Sequence, residues 1–561
     1  KKSKNGGYMK SNKSKVKKVY TIPKKLRITM LVIFGVFFLL IIRLVFLQLV
    51  QGADLREQMY DQLITSRLIS PKRGTIYDTT GKALAISAQV DTVSIQPSAL
   101  VVKEDGEIDE EKTKAFKEKV AKSFSEIFEL DYEETLAKVS SESSIVTIAR
   151  KVEKDKIDQL KAWMEEEEIY SGINIDEDTK RYYPYENLAS SLIGFCNIDN
   201  QGIEGLEAYW DDVLTGTPGK VVTAQDAIQE FIPDEDQTYI PAENGSDITL
   251  TIDANIQSIV EKYLEQACIE NECVRGGNAI VMNPKTGDIL AMATYPDYNL
   301  NTPSSMPSYM TKEEWNKLTS EEQSNTLYSL YRNRAISDTY EPGSVFKIIT
   351  ASIALEENLA TPDKANVYSC SGSQTVYGVR MSCSLHSGHG KQSLRQALEN
   401  SCNPAFIQIN EKIGAATAYR YYDAFGLFSK TGIQTTGETN YPIFWDLDDV
   451  GPIELATMSF GQRFKITPLQ MITAACTVAN DGILVKPRIV KEIKNTDTGA
   501  ITTIDPVEVR QVISKETADT MMDMLESVVT DGTGKYANVK GYSIAGKTGT
   551  SEPDPNTDEG Y

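Results

Sequence analysis

The longest apolar stretch of the sequence lies near its N-terminal end. It covers residues 28–50 and is interrupted by a charged or amide side chain only at Arg43 and Gln48. Residues 1–27 contain eleven lysines and arginines and no acidic residue. An apolar run of this length can cross a bilayer, and a basic flank stays in the cytoplasm. The pattern therefore predicts a cytoplasmic tail at 1–27, a membrane anchor at 28–50 and the rest of the chain outside the cell.

Two alternatives to an uncleaved anchor remain. A cleavable signal peptide has a shorter apolar region followed by a small-residue cleavage site, and no such site follows here. A buried core helix fits poorly behind so basic a leader. Arg43 lies near the outer end of the run, where its long side chain can extend to the lipid headgroups.

Beyond the anchor, apolar residues recur at the spacing of a helix within a segment that is rich in charged residues. Residues 112–128 and 153–166 follow this pattern, which predicts solvated helices. Residues 72–85 predict two strands around a turn, and the acidic residues 230–246 resemble a linker. No group of chemistry-bearing side chains stands out, so residues 51–240 are expected to form a non-catalytic pedestal domain.

A mixed helix and strand pattern begins near Asp247 and predicts a larger α+β domain over residues 241–561. Predicted helices cover residues 254–268, 344–359, 394–413 and 468–481, and predicted strands cover residues 248–253, 277–283, 288–294 and 541–550. A sheet strand at 541–550 needs a partner strand and a covering helix after it. The chain ends at Tyr561. We therefore expect that the C-terminal part of this domain is missing.

Composition and charge exclude one class of partner. The 561 residues are 41% hydrophobic and 24% charged, and the net charge is -21 at pH 7. Phosphate binding needs a basic face, so nucleic acid is not an expected partner. The seven cysteines are scattered, which predicts no dense disulfide framework.

The first of three candidate motifs is Ser344-x-x-Lys347, which follows Pro342-Gly343 at a predicted helix start. A helix places Lys347 one turn beyond Ser344 on the same face. A serine hydroxyl becomes a nucleophile when a base takes its proton. Lysine can be that base when burial or a nearby cation lowers its pKa. Alone, the motif is more typical of a solvated helix surface.

The second motif is Ser401-x-Asn403. Ser401 is a candidate proton relay, and Asn403 is a candidate for holding a substrate amide. A helix cap explains the same residues equally well.

The third motif runs from Lys547 through Thr548 and Gly549 to Thr550. Lys547 offers positive charge to a substrate carboxylate, and Gly549 allows close approach of a substrate backbone. The Thr550 N–H can donate to an oxyanion and its hydroxyl to the carboxylate. An exposed edge strand is the alternative.

In this order, the three motifs occur in penicillin-binding proteins and class A β-lactamases. The sequence resembles the class B penicillin-binding proteins, which are the transpeptidases of cell elongation, division and sporulation. This resemblance covers most of the chain, from the anchor to Thr550. Further matching segments are residues 73–78, 84–85, 181–184, 202–207, 333–335, 340–344 and 532–534.

The resemblance implies one transmembrane helix, an elongated pedestal and a penicilloyl-serine transferase domain. It implies that Ser344 attacks the penultimate D-Ala carbonyl of a peptidoglycan stem peptide, and that an amine of a neighbouring stem takes the acyl group. β-Lactams would acylate the same serine. A membrane glycosyltransferase is an expected partner, and the chemistry requires no cofactor.

Two observations bear on the reaction type. The chain has only two histidines, both in one glycine-rich loop, which argues against a Ser-His-Asp triad. No glutamate can be assigned the deacylating role it has in class A β-lactamases, so transfer to an amine is favoured over hydrolysis. A D,D-carboxypeptidase, a β-lactam sensor and a non-catalytic scaffold of wall synthesis remain as alternatives.

One loop departs from the common pattern of the family. Cys370, Cys383, His386 and His389 are all zinc-type ligands, and their spacing permits a closed tetrahedral site. Similar loops occur in some clostridial relatives, which favours a structural zinc and a Gram-positive source. A Cys370–Cys383 disulfide and a loop with incidental Cys and His residues are the alternatives.

Overall fold

The structure is a computed structural model that describes residues 24–46, 64–104, 107–224, 238–273, 275–440 and 443–550. The chain divides into two compact units. The first unit takes in residues 1–68 and 220–240, and the second takes in residues 69–219 and 241–561. All of the predicted site residues belong to the second unit.

The helices and strands are numbered here in chain order. The helices are α1 Lys24–Val45, α2 Glu110–Phe128, α3 Tyr132–Val139, α4 Lys154–Glu166, α5 Ser190–Ile193, α6 Gly205–Tyr209, α7 Asp211–Leu214, α8 Ala254–Glu270, α9 Lys312–Trp315, α10 Ser320–Tyr331, α11 Arg334–Ser337, α12 Lys347–Glu356, α13 Leu394–Glu399, α14 Asn403–Ile413, α15 Ala415–Ala424, α16 Pro452–Met458, α17 Pro468–Ala479 and α18 Lys515–Thr530. The strands are β1 Ile64–Ile69, β2 Ile76–Tyr77, β3 Ala83–Ile95, β4 Lys103–Glu104, β5 Glu107–Ile108, β6 Val146–Val152, β7 Ile173–Tyr182, β8 Gly219–Ala224, β9 Thr238–Ile240, β10 Asp247–Leu250, β11 Gly277–Met282, β12 Ile289–Tyr295, β13 Tyr368–Cys370, β14 Ser373–Val376, β15 Val379–Ser382, β16 Gly390–Gln392, β17 Ile483–Val485, β18 Val490–Lys494, β19 Ile501–Thr503 and β20 Glu508–Gln511.

In the first unit, α1 covers most of the predicted anchor and is 22 residues long. Among the residues that the structure describes, no helix is sufficiently long and apolar to cross a membrane. Residues 47–50 of the predicted anchor and residues 1–23 of the predicted tail lie outside the described residues. β1, β8 and β9 form a three-stranded sheet with β8 in the middle.

In the second unit, a seven-stranded sheet connects the pedestal segment to the later part of the chain. The strand order is β19-β18-β10-β2-β3-β6, and β7 also pairs with β3. β10 runs parallel to β2, with Ile248 opposite Ile76. The sheet therefore continues across residue 240, the predicted boundary between the two domains.

The two charged pedestal helices predicted from the sequence are confirmed as α2 and α4. The carboxylate of Asp109 accepts the N–H of Lys112 and so caps the start of α2. Val120 and Phe124 of α2 and Leu160 of α4 are fully buried in one apolar cluster, which also contains Val93 of β3. The charged faces remain exposed, as the helical period predicted.

Four charged side chains form an ion cluster in the interior beside β2 and β7. Glu207 is fully buried and accepts from Arg73 Nε at 2.7 Å and from Arg181 Nε at 2.6 Å. Asp211 accepts from Arg73 Nη1 at 2.6 Å. These side chains compensate one another's charge, which accounts for Arg73, Arg181 and Glu207 in the matching segments 73–78, 181–184 and 202–207.

The hairpin predicted between residues 277 and 294 is confirmed as β11 and β12. The two strands pair antiparallel, with Gly277 opposite Tyr295 and Met282 opposite Ile289. Three other predictions are corrected. The predicted helix 394–413 is two helices, because Ser401 adopts a left-handed φ of 50°. The predicted helix at 344 starts with a 3-10 turn, Gly343–Phe346. Residues 541–550 form no strand, and the N–H of Gly546 instead donates to the carbonyl of Leu525 in α18.

Candidate active site

The first candidate residue, Ser344, lies in the 3-10 turn that leads into α12 and is half-buried. This turn is held against a second backbone segment, since the N–H of Gly343 donates to the carbonyl of Gly461 at 2.9 Å. A Cβ on Gly461 would lie 2.1 Å from the Gly343 carbonyl oxygen. Both glycines also have positive φ, so the two positions require glycine for this close backbone contact.

Lys347 is the first residue of α12, and its side chain is completely buried. Its Nζ lies 3.1 Å from Ser344 Oγ and 2.7 Å from Asn403 Oδ1. It also lies 2.8 Å from the Ser401 carbonyl oxygen and 3.2 Å from Ser401 Oγ. Burial, helped by the positive charge of Lys547, lowers the pKa of Lys347 to about 7. An amine that is about half uncharged at pH 7 thus faces the Ser344 hydroxyl.

Ser401 lies in the connection between α13 and α14, and Asn403 follows at the start of α14. Asn403 is the first residue of α14 and is followed by Pro404, which suits a helix start. Its Nδ2 donates to the Ser382 carbonyl at 3.1 Å while its Oδ1 accepts from Lys347, so both ends of the amide are oriented.

Lys547, in the C-terminal segment, also contacts Ser401. Its Nζ donates to Ser401 Oγ at 2.9 Å and to the Thr548 carbonyl at 2.9 Å. Burial lowers the pKa of Lys547 to about 8. The Ser401 hydroxyl therefore stands between two amines, one beside Ser344 and one at the mouth of the site.

The residues after Lys547 pass directly over the turn of Ser344. A Cβ on Gly549 would lie 2.7 Å from Val345 Cγ2 and 3.3 Å from the Pro342 carbonyl oxygen. Thr548 and Thr550, on either side, are exposed. The structure thus brings together the catalytic and substrate-binding residues predicted from all three motifs.

The Cys/His loop lies against the connection between α13 and α14, which contains Cys402. Ligand atoms of Cys370, Cys383, His389 and Cys402 all lie within 4.8 Å of one another. The Cys383 sulfur lies 3.5 Å from His389 Nδ1 and 3.9 Å from the Cys402 sulfur. Ligands of a tetrahedral zinc–thiolate site are about 3.8 Å apart, so three thiols and one imidazole at this spacing fit zinc.

The predicted ligand His386 is corrected by this geometry. His386 is exposed and lies outside the cluster. Its carbonyl oxygen faces Gly372, where a Cβ would lie 1.9 Å from it. Cys402 takes the fourth position. Sequence spacing did not reveal Cys402, since it lies inside the Ser401-x-Asn403 motif and meets Cys383 only through the fold.

A further segment near Ser344 was also missed. The Ser459 carbonyl accepts from Thr350 Oγ1 of α12 at 3.0 Å, and Gly461 contacts Gly343 as described above. The only sequence signal was a glycine at position 461. Such a glycine is informative only when its contact across the fold is known.

Comparison with known proteins identifies the family. The penicillin-binding protein dimerisation domain matches residues 68–250, and the penicillin-binding protein transpeptidase domain matches residues 277–561. Stage V sporulation protein D of Bacillus subtilis is 34% identical over 541 residues, which cover 95% of this chain and 77% of that protein. Peptidoglycan D,D-transpeptidase FtsI of Escherichia coli is 29% identical over 513 residues, which cover 90% of this chain and 76% of that protein.

A solved structure shares the fold. Penicillin binding protein 3 of Mycobacterium tuberculosis, complexed with ampicillin, superposes with a TM-score of 0.59 at 24% identity, and the match covers 87% of this chain and 83% of that one. Two matched domains in this order, together with a relative 34% identical over nearly the whole chain, are decisive. The chain belongs to the class B penicillin-binding proteins.

Proposed function

We propose that this protein is a peptidoglycan D,D-transpeptidase that forms peptide cross-links through an acyl-enzyme on Ser344. The observation that carries the proposal is the 3.1 Å contact between Ser344 Oγ and the buried Nζ of Lys347, whose pKa is lowered to about 7. The relatives named as D,D-transpeptidases support the substrate class.

In the first half-reaction, Ser344 Oγ attacks the penultimate D-Ala carbonyl of a stem peptide while its proton passes to Lys347. The tetrahedral intermediate then expels the terminal D-Ala, whose amine takes up a proton. Ser401 Oγ, 3.2 Å from Lys347 Nζ and 2.9 Å from Lys547 Nζ, is placed to relay that proton. In the second half-reaction an amine of a neighbouring stem attacks the acyl-enzyme, and Ser344 leaves with its proton restored.

The third motif binds and polarises the substrate in this proposal. Lys547, in its charged form, attracts the carboxylate of the terminal D-Ala, and Thr548 lies beside it. The Thr550 N–H donates to the oxyanion and its hydroxyl donates to the carboxylate. The missing side chain of Gly549 lets this segment lie against Val345, next to the nucleophile Ser344, and the Asn403 amide orients the stem peptide.

β-Lactams should acylate the same serine, and this reaction gives the simplest test. Full-length protein incubated with a fluorescent penicillin should gain one covalent adduct, and its modified peptide should contain Ser344. The S344A variant should gain none, whereas S305A, which changes an exposed serine away from the motifs, should label like wild type. Labelling that persists in S344A contradicts the assignment.

Membrane attachment is also part of the proposal. The basic residues 1–27 and the apolar residues 28–50 support a single anchor, with the pedestal at 51–240 and the catalytic domain at 241–561 outside the cell. A membrane glycosyltransferase would supply the glycan strands. Protease added to intact protoplasts should digest the chain beyond the anchor, and full protection would reverse this topology.

The thiol and imidazole cluster is proposed to bind one structural zinc through Cys370, Cys383, His389 and Cys402. Four protein ligands leave no open position, so the metal orders the loop and takes no part in the chemistry. Purified wild type and H386A should hold one zinc per chain, because His386 lies outside the cluster. H389A should lose zinc and melt at a lower temperature. A metal-free protein with a Cys370–Cys383 disulfide contradicts the proposal.

A further inference from the structure

Two cysteines outside the candidate zinc cluster share one turn at the end of α8. The N–H of Cys273 donates to the carbonyl of Cys268 at 2.8 Å, and the N–H of Glu272 donates to the carbonyl of Ile269 at 3.2 Å. Glu272 has a left-handed φ of 51°. These three features define a Schellman motif, in which the side chains at the positions of Cys268 and Cys273 are the pair that meet.

The orientation of the Cys268 thiol agrees with this geometry. Cys268 is buried, and a Cβ on Gly277 would lie 2.9 Å from its sulfur, so the sulfur points at the returning chain. Cys273 is exposed to solvent, and burial together with the neighbouring Cys273 raises the pKa of the Cys268 thiol. One thiol is thus accessible to a reagent, and the second is held behind it.

The turn is tied to the hairpin of the catalytic domain. The N–H of Gly276 donates to the Cys273 carbonyl at 2.8 Å, and a Cβ on Gly276 would lie 1.9 Å from the Tyr295 carbonyl oxygen. β11 starts one residue later, at Gly277, and α8 packs against β12. A covalent link across the turn would fasten the end of α8 to the start of this hairpin.

We propose that Cys268 and Cys273 form an intramolecular disulfide when the protein meets a disulfide oxidant. This inference rests on the proposed function for the location outside the cell, where thiols meet such oxidants. The Cys273 thiolate attacks the oxidant's disulfide and releases one thiol. The Cys268 thiol then attacks the mixed disulfide and releases the second. Two electrons pass to the oxidant, and each cysteine loses one hydrogen.

The bond acts as a staple on the fold, with no role in acyl transfer. It closes a loop of six residues from Cys268 to Cys273, so the second thiol is always near the first and an intramolecular link outcompetes a link between chains. We expect the oxidised protein to melt a few degrees higher than the reduced one, and the rate of penicillin acylation to be unchanged.

The sequence allows a direct test, since trypsin releases both cysteines on one peptide. Residues 263–275 contain no internal lysine or arginine and no other cysteine. Full-length protein is equilibrated with oxidised glutathione, alkylated and digested. The peptide should be lighter by two hydrogen atoms and carry no alkyl group. C273S, which changes an exposed side chain, should yield the peptide with Cys268 alkylated or joined to glutathione, and should lose the rise in melting temperature.

Three results would overturn the inference: both cysteines alkylated after oxidation, glutathione retained on Cys273 in the wild type, or chains joined through Cys273. Penicillin labelling of the same samples keeps the two proposals apart. Labelled protein without the disulfide refutes only the staple, and the disulfide without labelling refutes only the proposed function.

Discussion

The acylation rate of Ser344 should follow the ionisation of the two active-site lysines. Lys347 must be uncharged to take the serine proton, and Lys547 must be charged to bind a carboxylate. Burial, together with the charge of Lys547, lowers the pKa of Lys347 from 10.5 to about 7, and burial lowers that of Lys547 from 10.5 to about 8. The second-order acylation rate should therefore rise about tenfold per pH unit below about 7 and fall above about 8.

The size of this effect follows from the shift. At pH 7 about half of Lys347 is uncharged, whereas a lysine of pKa 10.5 would be uncharged in about one molecule in 3,000. Burial thus destabilises the charged form of Lys347 by about 5 kcal/mol relative to a lysine in water. The contacts of Lys347 with Ser401 and Asn403 help to hold the amine in this position.

The assay is stopped-flow acylation by a fluorescent penicillin from about pH 5 to about pH 10. K547A should lose the upper limb of the profile. Its lower limb should move to higher pH, because the removed cation had disfavoured charge on Lys347. K347A should not acylate at any pH in the range.

A lower limb that persists in K347A would show that another group is the base. A lower limb in the wild type with an apparent pKa above about 9 would show that the burial of Lys347 does not lower its pKa as described. Equal and mild losses in K347A and K547A would mean that the two roles are misassigned.

Two further substitutions test the buried ion cluster of Glu207 and the backbone contact between Gly343 and Gly461. E207Q should lower the free energy of unfolding in urea by about 3–5 kcal/mol, because the buried Arg181 guanidinium would lose the carboxylate that it pairs with, although Arg73 would keep Asp211; an effect below about 1 kcal/mol would mean that water reaches the cluster. G461A should slow penicillin acylation by about 100-fold, because its methyl group would displace the Gly343 carbonyl and with it the nucleophile. G437A also adds a methyl group at positive φ but meets nothing within 4 Å, so it should acylate at the wild-type rate; equal losses in both variants would point to backbone strain alone.

Elements with a local signal were predictable from the sequence. Asp253 caps α8, which has nearly the predicted bounds, and the alternation around Pro284 to Gly287 specified the β11–β12 hairpin. The order of the three motifs was sufficient to select the residues that meet around Lys347. In each case the determining residues are close in sequence or follow a fixed spacing.

Features that depend on distant contacts were not predictable. Nothing local indicates that Ile248 pairs with Ile76, or that Cys402 reaches Cys383. His386 has the right chemistry and spacing for a ligand, but its side chain is exposed outside the cluster, which becomes visible only in the folded loop. The predicted strand at 541–550 had the right composition, but a strand also needs a neighbour to pair with.

Peptide transfer itself is the measurement that tests the central claim most directly. Full-length wild type and S344A are given a stem peptide ending in D-Ala-D-Ala together with a labelled D-amino acid as the acceptor amine, and the products are separated by mass. We predict that wild type releases D-Ala and joins the acceptor to the stem in preference to water, and that S344A does neither. Release of D-Ala with water as the only acceptor would make the protein a carboxypeptidase and contradict the account.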